Sequence, residues 1–324
     1  MKLATLKNGT PDGRLYVISR DLAKASPARA ASTMQAALEK WDAVVADLTA
    51  QYDALNKGTE PDAVAFNQAE ALSPLPRAWQ WLDGSAFESH GDLMDIVFGM
   101  KKDKAVKPLM YQGVSDRFYA PTADIPFPST EDGIDFEGEF GVIVSETPMG
   151  TDQKDASKYI RLIVQVNDWS LRKLAPVEMK TGFGWIQAKP PCSMAPVAVT
   201  PDELGPAWRD ARVDLPLNVF WNGEKFGAAN GYHMAFGFDD LVAHAAYSRD
   251  LVPGTIIGSG TVSNANYREI GSSCIAERRG IEMLDLGEAK TSFMKFGDTV
   301  KMEVFLPDGT PVFGAIDQKV VKAG

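Results

Sequence analysis

The stretch Ile134-Asp135-Phe136-Glu137-Gly138-Glu139-Phe140-Gly141-Val142-Ile143-Val144 reads as one extended segment. Side chains alternate along a strand, so Ile134, Phe136, Phe140, Val142 and Val144 share one face, and Glu137 and Glu139 share the other. Two like charges about 7 Å apart on one strand repel, and burial strengthens the repulsion. A divalent cation between them reverses the sign of that interaction. Ligation by oxygen alone suits Mg²⁺, Ca²⁺ or Mn²⁺ rather than Zn²⁺. The same alternation also describes an ordinary solvated strand face, so the motif by itself leaves both readings open.

Around this segment the chain reads as short strands joined by Gly and Pro turns. Residues 159–166, 213–221, 255–259, 299–306 and 312–321 are apolar, β-branched runs, with one helix at 238–247 between them. That pattern predicts an α+β, mainly β fold and argues against a doubly wound parallel sheet. Nearer the start, residues 15–19 look extended. Residues 32–57 form an amphipathic helix in which Met34, Leu38, Trp41, Val45, Leu48, Tyr52 and Leu55 recur at spacings of three and four. Ser32 is the expected cap and Gly58 the expected stop. The Pro-rich link Leu72-Ser-Pro-Leu-Pro-Arg77 separates a small N-terminal domain, 1–74, from a catalytic domain, 75–324.

Composition narrows the function. In 324 residues, 45% are apolar and 10% aromatic, enough for a sizeable core, and no run is long and apolar enough for a membrane span. The formal charge of −10 argues against nucleic acid or anionic lipid as a partner, since phosphate contacts need clustered cations. Two cysteines give neither a disulfide framework nor a zinc site, and the first residues lack the apolar core of a signal peptide, so a cytoplasmic location is expected. No phosphate loop or dinucleotide spacing is present.

Two further segments carry chemistry. Leu162-Ile-Val-Gln-Val-Asn-Asp168 is an apolar strand ending in Asp168, a place for either a ligand or a helix cap. If a helical turn starts at Trp169, Arg172 projects near that same strand end. In Asp83-Gly-Ser-Ala-Phe-Glu-Ser-His90, the histidine has Asp83, Glu88 and Asp92 nearby, which would raise its basicity. His90 is read as either a surface histidine or a base.

Together, and in this order, these pieces resemble the fumarylacetoacetate hydrolase family from about Leu75 onward. The family pattern Glu-x-Glu followed by Asn-Asp-x-Ser-x-Arg is present as Glu137-Gly-Glu139 and Asn167-Asp168-Trp169-Ser170-Leu171-Arg172. Lys189, Gly260-Thr261-Val262-Ser263 and Phe296-Gly-Asp-Thr-Val300 fit later family positions. The resemblance implies a mixed β-roll catalytic domain, usually dimeric, with Asp83, Glu137, Glu139 and Asp168 holding Mg²⁺ or Ca²⁺, Mn²⁺ being a further option. It implies His90 as base, assisted by Glu277 or Glu269, Lys189 and Arg172 as oxyanion stabilisers, and Tyr111 and Thr261 at the substrate. The implied reaction is hydrolytic cleavage of a carbon–carbon bond in a 1,3-dicarbonyl or acylpyruvate-type acid, of the kind met in aromatic-compound catabolism. Relatives that hydrate, decarboxylate or isomerise 2-oxo acids keep the same metal site and form the nearest alternative. A non-catalytic small-molecule binding module is the competing class. The sequence departs from the family where an arginine is expected near Gly99, with only Lys101 and Lys102 close by, and where a glutamine is replaced by Ala175.

Overall fold

In the computed structural model, residues 1–98 and 107–324 are described, with side chains outside 95–106. The fold is α+β and mainly β. An eleven-stranded mixed sheet forms its spine among the described residues. Gly138–Val144 lies near its middle, antiparallel to Ile160–Asn167 on one side and to Thr255–Gly258 on the other. Thr255–Gly258 runs parallel to Trp81–Gly84, which pairs in turn with Met110–Gly113 at the sheet edge. The N-terminal strands Lys2–Leu6 and Arg14–Ile18 extend the same sheet from the far side, through Val197–Val199.

Both faces of the spine are covered, which is why its central strands read as continuous apolar runs. On one face Leu48, Tyr52 and Leu55 of the Trp41–Lys57 helix pack with Ile143, Leu162 and Ile256. On the other, a second sheet containing Pro216–Trp221, Thr299–Phe305 and Pro311–Lys322 contributes Val219, Met302, Phe313 and Ile316 to a core shared with Phe140, Val142 and Ile163. Gln165 crosses the gap, its Nε2 donating to the Met302 carbonyl at 3.0 Å.

Several expectations need correction. The first helix is two, Met34–Glu39 and Trp41–Lys57, broken at Lys40, and its cap is Thr33 rather than Ser32, with Thr33 Oγ1 accepting from the Ala36 amide at 3.1 Å. Gly58 closes the second helix in the left-handed region at φ 74°, as its sequence position suggested. The extended segment at 134–144 is interrupted. Ile134–Asp135 pairs with Ser170–Leu171, the ladder breaks at Phe136-Glu137, and Gly138–Val144 resumes in the main sheet. Trp169 starts no helix, and Arg172 arrives on the far side of the short Ser170–Leu171 strand. Reading the chain from Pro76 onward as strands with few helices missed Glu88–Phe98 and Ile275–Leu286, which pack together through Leu93, Met94, Ala276 and Ile281.

The spine leaves no room beside the site. A Cβ on Gly258 would fall 2.3 Å from Asp83 Oδ1 and 2.3 Å from the buried Trp81 ring. Gly258→Ala is therefore expected to cost about 1–3 kcal/mol through overpacking. It should also weaken divalent-cation binding by displacing Asp83. Thermal melts with and without Mn²⁺ check both effects, and an unchanged melting temperature would refute the packing argument.

Candidate metal centre and catalytic cavity

Five carboxylates are buried where the central strands end: Asp83, Asp135, Glu137, Glu139 and Asp168. Buried charge is stable only when paired or neutralised, so each must find a partner.

Glu137, displaced from the ladder by the break, is held by cations and hydroxyls. Lys189 Nζ lies 2.6 Å from Oε1, and the Arg172 guanidinium lies 3.2 Å from Oε2. Ser170 and Thr261 donate their hydroxyls to the same carboxylate. Burial works against its charge, but Arg172 and Lys189 hold the carboxyl well below its ordinary range. Asp135, which sequence reading overlooked, anchors this arrangement. It accepts from Arg172 Nε at 2.8 Å and from the amides of Ile275 and Ala276 at 2.7 and 2.9 Å, the first residues of the Ile275–Leu286 helix. Its sequence signal was a third acid, two residues before Glu137, on the face that an unbroken strand gives to Glu137 and Glu139.

Asp168 ends the Ile160–Asn167 strand and accepts from three donors. These are Lys189 Nζ at 2.5 Å, Tyr111 Oη at 2.7 Å and Cys192 Sγ at 2.9 Å. Burial, reinforced by the Asp168 charge, pushes the Tyr111 hydroxyl and the Cys192 thiol well above their ordinary values, so both remain protonated donors. Lys189 is held charged, above the usual lysine value, because Asp168 and Glu137 outweigh the cost of its burial. Its ammonium also lies 5.3 and 5.4 Å from the ring centroids of Tyr111 and Trp185.

Asp83 and Glu139 lack such cations. Asp83 Oδ1 accepts the Gly260 amide at 3.1 Å, while neither oxygen of the fully buried Glu139 accepts any hydrogen bond. Burial, then the neighbouring carboxylates, pushes Asp83 up to about 8 and Glu139 well above its ordinary range. One oxygen from each of Asp83, Glu139 and Asp168 lies within 4.8 Å of the others. Two orphaned oxygens facing two more carboxylates fit a divalent cation, and an all-oxygen donor set fits a hard one. Three of the four carboxylates expected as ligands thus converge, whereas Glu137 faces the side chains of Lys189, Arg172, Thr261 and Ser170.

The cluster opens into a cavity of about 320 Å³ that Asp83, His90, Tyr111, Glu137, Arg172, Lys189 and Thr261 all line. Of the three histidines, His90 alone lines it; His233 is exposed in a turn, and His244 lines a separate surface hollow. His90 sits on the first turn of Glu88–Phe98, its buried Nδ1 without a partner. The expectation of raised basicity is reversed: burial pulls its pKa down to about 4, and the Arg172 and Lys189 charges add to this against the pull of Glu137.

Glu277 does not line the cavity. Fully buried on the first turn of Ile275–Leu286, it accepts from Ser263 Oγ, which also receives a 2.7 Å hydrogen bond from Ser89 Oγ, next to His90. Burial raises it to about 7. Glu269 is on a different surface, beside Arg268 and Asp285, which removes it as the assisting acid. The arginine position near Gly99 lies outside the described residues, and Ala175 lines the cavity wall.

Comparison with known proteins identifies the family. The model for the fumarylacetoacetate hydrolase C-terminal domain matches residues 80–321, and that for fumarylacetoacetase N-terminal domain 2 matches residues 1–77. The chain belongs to the fumarylacetoacetate hydrolase family. It is 28% identical over 158 residues to a 2,4-didehydro-3-deoxy-L-rhamnonate hydrolase of Sphingomonas sp. (strain SKA58), covering 48% of this chain and 53% of that protein. It is 25% identical over 157 residues to a mitochondrial oxaloacetate tautomerase of Rattus norvegicus, covering 48% of each. The aligned stretch thus spans about half the length of these curated relatives. A maleylpyruvate hydrolase from Sphingobium sp. SYK-6, solved with manganese(II) and pyruvate, matches in fold over 100% of both chains, with TM-score 0.67 and 16% identity. Among the described residues no helix is long and apolar enough to cross a membrane.

Glu139→Gln separates metal binding from folding. It replaces a buried acid that is held protonated without the cation by a neutral side chain of the same shape, so the metal-free protein should melt no lower than wild type. Wild type should gain stability from Mn²⁺ or Mg²⁺ as RT ln(1 + [L]/Kd), about 2.7 kcal/mol at a hundred times Kd, and the variant should lose most of that gain. Scanning calorimetry on EDTA-stripped protein with and without cation measures both. An undiminished cation-induced shift in the variant would remove Glu139 from the ligand set.

Proposed function

We propose that this protein is a metal-dependent hydrolase that cleaves the carbon–carbon bond of an acylpyruvate-type acid. The observation that carries the reading is the buried Asp83, Glu139 and Asp168 triad, with its orphaned Glu139 oxygens, of which Asp83 lines a cavity of about 320 Å³ together with Lys189 and Arg172. A binding module has no need to keep repelling acids together at that cost. The proposed ligands are Asp83, Glu139 and Asp168, with Glu137 alongside, for Mg²⁺, Mn²⁺ or Ca²⁺. The ion would act there as a Lewis acid toward the oxygens of the 2-oxo acid.

The chain's own residues then divide the work. His90, neutral over the working pH range and with a free Nδ1, takes a proton from water. The water oxygen bonds to the acyl carbonyl carbon, and the bond from that carbon to the methylene of the pyruvyl half breaks. The methylene carbon takes a proton, so a carboxylic acid and a 2-oxo acid leave. Lys189 and Arg172, fixed as cations by Asp168, Glu137 and Asp135, stabilise the oxyanion that develops, a contribution of about 2.7–4 kcal/mol for a well-placed donor. Glu277 acts behind His90, through Ser263 and Ser89, to position the helix that carries it. The proposed setting, a homodimer in the breakdown of aromatic compounds, follows the family resemblance, and the proposed cytoplasmic location follows from a cysteine content without a disulfide framework.

The test is turnover of fumarylpyruvate, acetylpyruvate, fumarylacetoacetate and oxaloacetate with Mg²⁺ or Mn²⁺. Release of a 2-oxo acid and a carboxylic acid is expected. Conversion of oxaloacetate alone would move the reading to a tautomerase or decarboxylase. No turnover, with no uptake of divalent cation, would refute it.

His90→Ala should lower kcat by roughly 10²–10⁴ while metal affinity stays nearly constant, since the ligands are oxygens. Because the folded-state pKa lies near 4 and not near 6.5, a wild-type acid limb set by His90 should fall below pH 5. The same depression implies that the unfolded chain takes up a proton first, so His90's contribution to stability falls as pH drops from about 6.5 toward 4. A pH–rate profile and kcat measured on the variant decide the matter. Retention of more than about a tenth of wild-type kcat would exclude a base role of this size.

A further inference from the structure

The cavity has two chemically distinct ends. Its inner end carries the acids and cations described above. Its outer wall is built from Met94, Leu109, Met110, Met179, Trp185 and Ala175. These side chains come from separate elements: Met94 from Glu88–Phe98, Met110 from Met110–Gly113, Ala175 and Met179 from Ala175–Met179, and Trp185 from the loop beyond. Leu109 and Met179 are 66% and 41% exposed, so the wall is apolar out to its rim.

The loop that brings Trp185 to the cavity is itself braced. The Glu178 carboxylate accepts the amides of Ile186, Gln187 and Ala188 at 3.2, 2.9 and 2.9 Å. The Trp185 ring packs on Tyr111 with centroids 5.0 Å apart. Among the described residues the only cationic side chains lining the cavity are Lys189 and Arg172. Both are committed at the inner end, Lys189 to Glu137 and Asp168 and Arg172 to Asp135 and Glu137. Among the described residues, a second carboxylate at the outer end of a substrate would face thioether, leucine and indole surface, where an unpaired charge is costly. An alkyl or aryl group there would bury apolar area against side chains that adapt to its shape.

We propose that the acyl half of the substrate is apolar and uncharged, so that alkanoyl- or aroylpyruvates are taken in preference to acylpyruvates bearing a second carboxylate. This rests on the acylpyruvate reading above and narrows it to a substrate class. Each methylene that the wall buries is worth about a fourfold gain in affinity. A hexanoyl or benzoyl group should therefore outperform fumaryl by at least tenfold.

The experiment compares hexanoylpyruvate, benzoylpyruvate and fumarylpyruvate on the Mn²⁺-loaded full chain, by kcat/KM and by calorimetric binding. The expected result is at least a tenfold preference for the apolar pair in both measurements. Met179→Lys, which adds a cation to the exposed rim without touching the acids or the inner cations, should shift the ratio toward fumarylpyruvate by tenfold or more. Equal or tighter binding of fumarylpyruvate by wild type would overturn the proposal, even where all three acids are cleaved and the hydrolase reading stands. Tenfold tighter binding of the apolar acids without cleavage would uphold the substrate class while the hydrolase reading fails. A Met179→Lys protein that folds, as judged by its melting curve, yet keeps the wild-type ratio would also count against the outer wall as the determinant.

Discussion

Burial of more negative than positive charge is the constraint on which the rest of the site depends. Five buried carboxylates meet two buried protein cations, Lys189 and Arg172, at the end of the central strands. Full ionisation would leave three negative charges without a partner inside the protein. The chain can relieve this by keeping protons on some of the acids or by taking up a cation. The five acids are not equivalent in this respect. Glu137 and Asp135 have the guanidinium of Arg172 and Asp168 has the ammonium of Lys189; burial raises Asp135 even against Arg172, whereas at Asp83 and Glu139 neighbouring carboxylates add to the effect of burial and no described cation is in contact. The electrostatic imbalance is therefore localised at the triad.

The fold pays attention to position before it satisfies charge. Asp83, Glu139 and Asp168 come from three strands or strand ends of the one sheet, with Thr255–Gly258 between those of Glu139 and Asp83, and the paired register of these strands sets their separation. Backbone ladders are rigid and both faces of this sheet are packed, so the carboxylates cannot drift apart to relax their repulsion. Gly258 and Gly260 permit the close approach: a Cβ at the first would collide with Asp83, and the second adopts φ 77° to offer Asp83 its amide. The Phe136-Glu137 break serves the opposite purpose. It turns one acid of the Glu-x-Glu pair out of the ladder and toward Lys189 and Arg172, so two acids two residues apart reach two different electrostatic environments.

Much of this was legible from residue order, and the failures have physical causes. Apolar runs marked the strands, because a strand buried on both faces needs no polar alternation. Acids interrupting such runs marked the site, since Glu139 and Asp168 have no bland explanation once both faces are buried. The period-two reading failed at Glu137 because the break depends on long-range contacts: the Ser170–Leu171 pairing and the Ser273 carbonyl that receives the Gly138 amide. Asp135 escaped notice because its role is to cap a helix 140 residues away. His90, singled out by its spacing from Asp83, lines the cavity, but raised basicity was expected and burial lowers it, since local sequence displays nearby acids and conceals burial. The Glu88–Phe98 and Ile275–Leu286 helices were missed for a related reason. Leu93 and Met94 pack with Ala276 and Ile281, and polar and charged residues dominate the sequence pattern of 275–286.

The donors around Asp168 bear on which cation the triad would accept. Cys192 brings a thiol against Asp168, and a thiolate there would draw a softer ion. Burial and the Asp168 charge instead hold the thiol protonated, and its proton is spent on Asp168 Oδ1. Tyr111 does the same at Oδ2, where Lys189 also donates. The side chains around the triad therefore present oxygen outward and keep sulfur as a hydrogen-bond donor behind it. That arrangement favours a hard cation such as Mg²⁺, Mn²⁺ or Ca²⁺ over zinc. It also explains why Lys189 does not preclude the ion. The ammonium neutralises the Glu137 and Asp168 side of the cluster, and the unpartnered Glu139 and the raised Asp83 remain for the cation to satisfy.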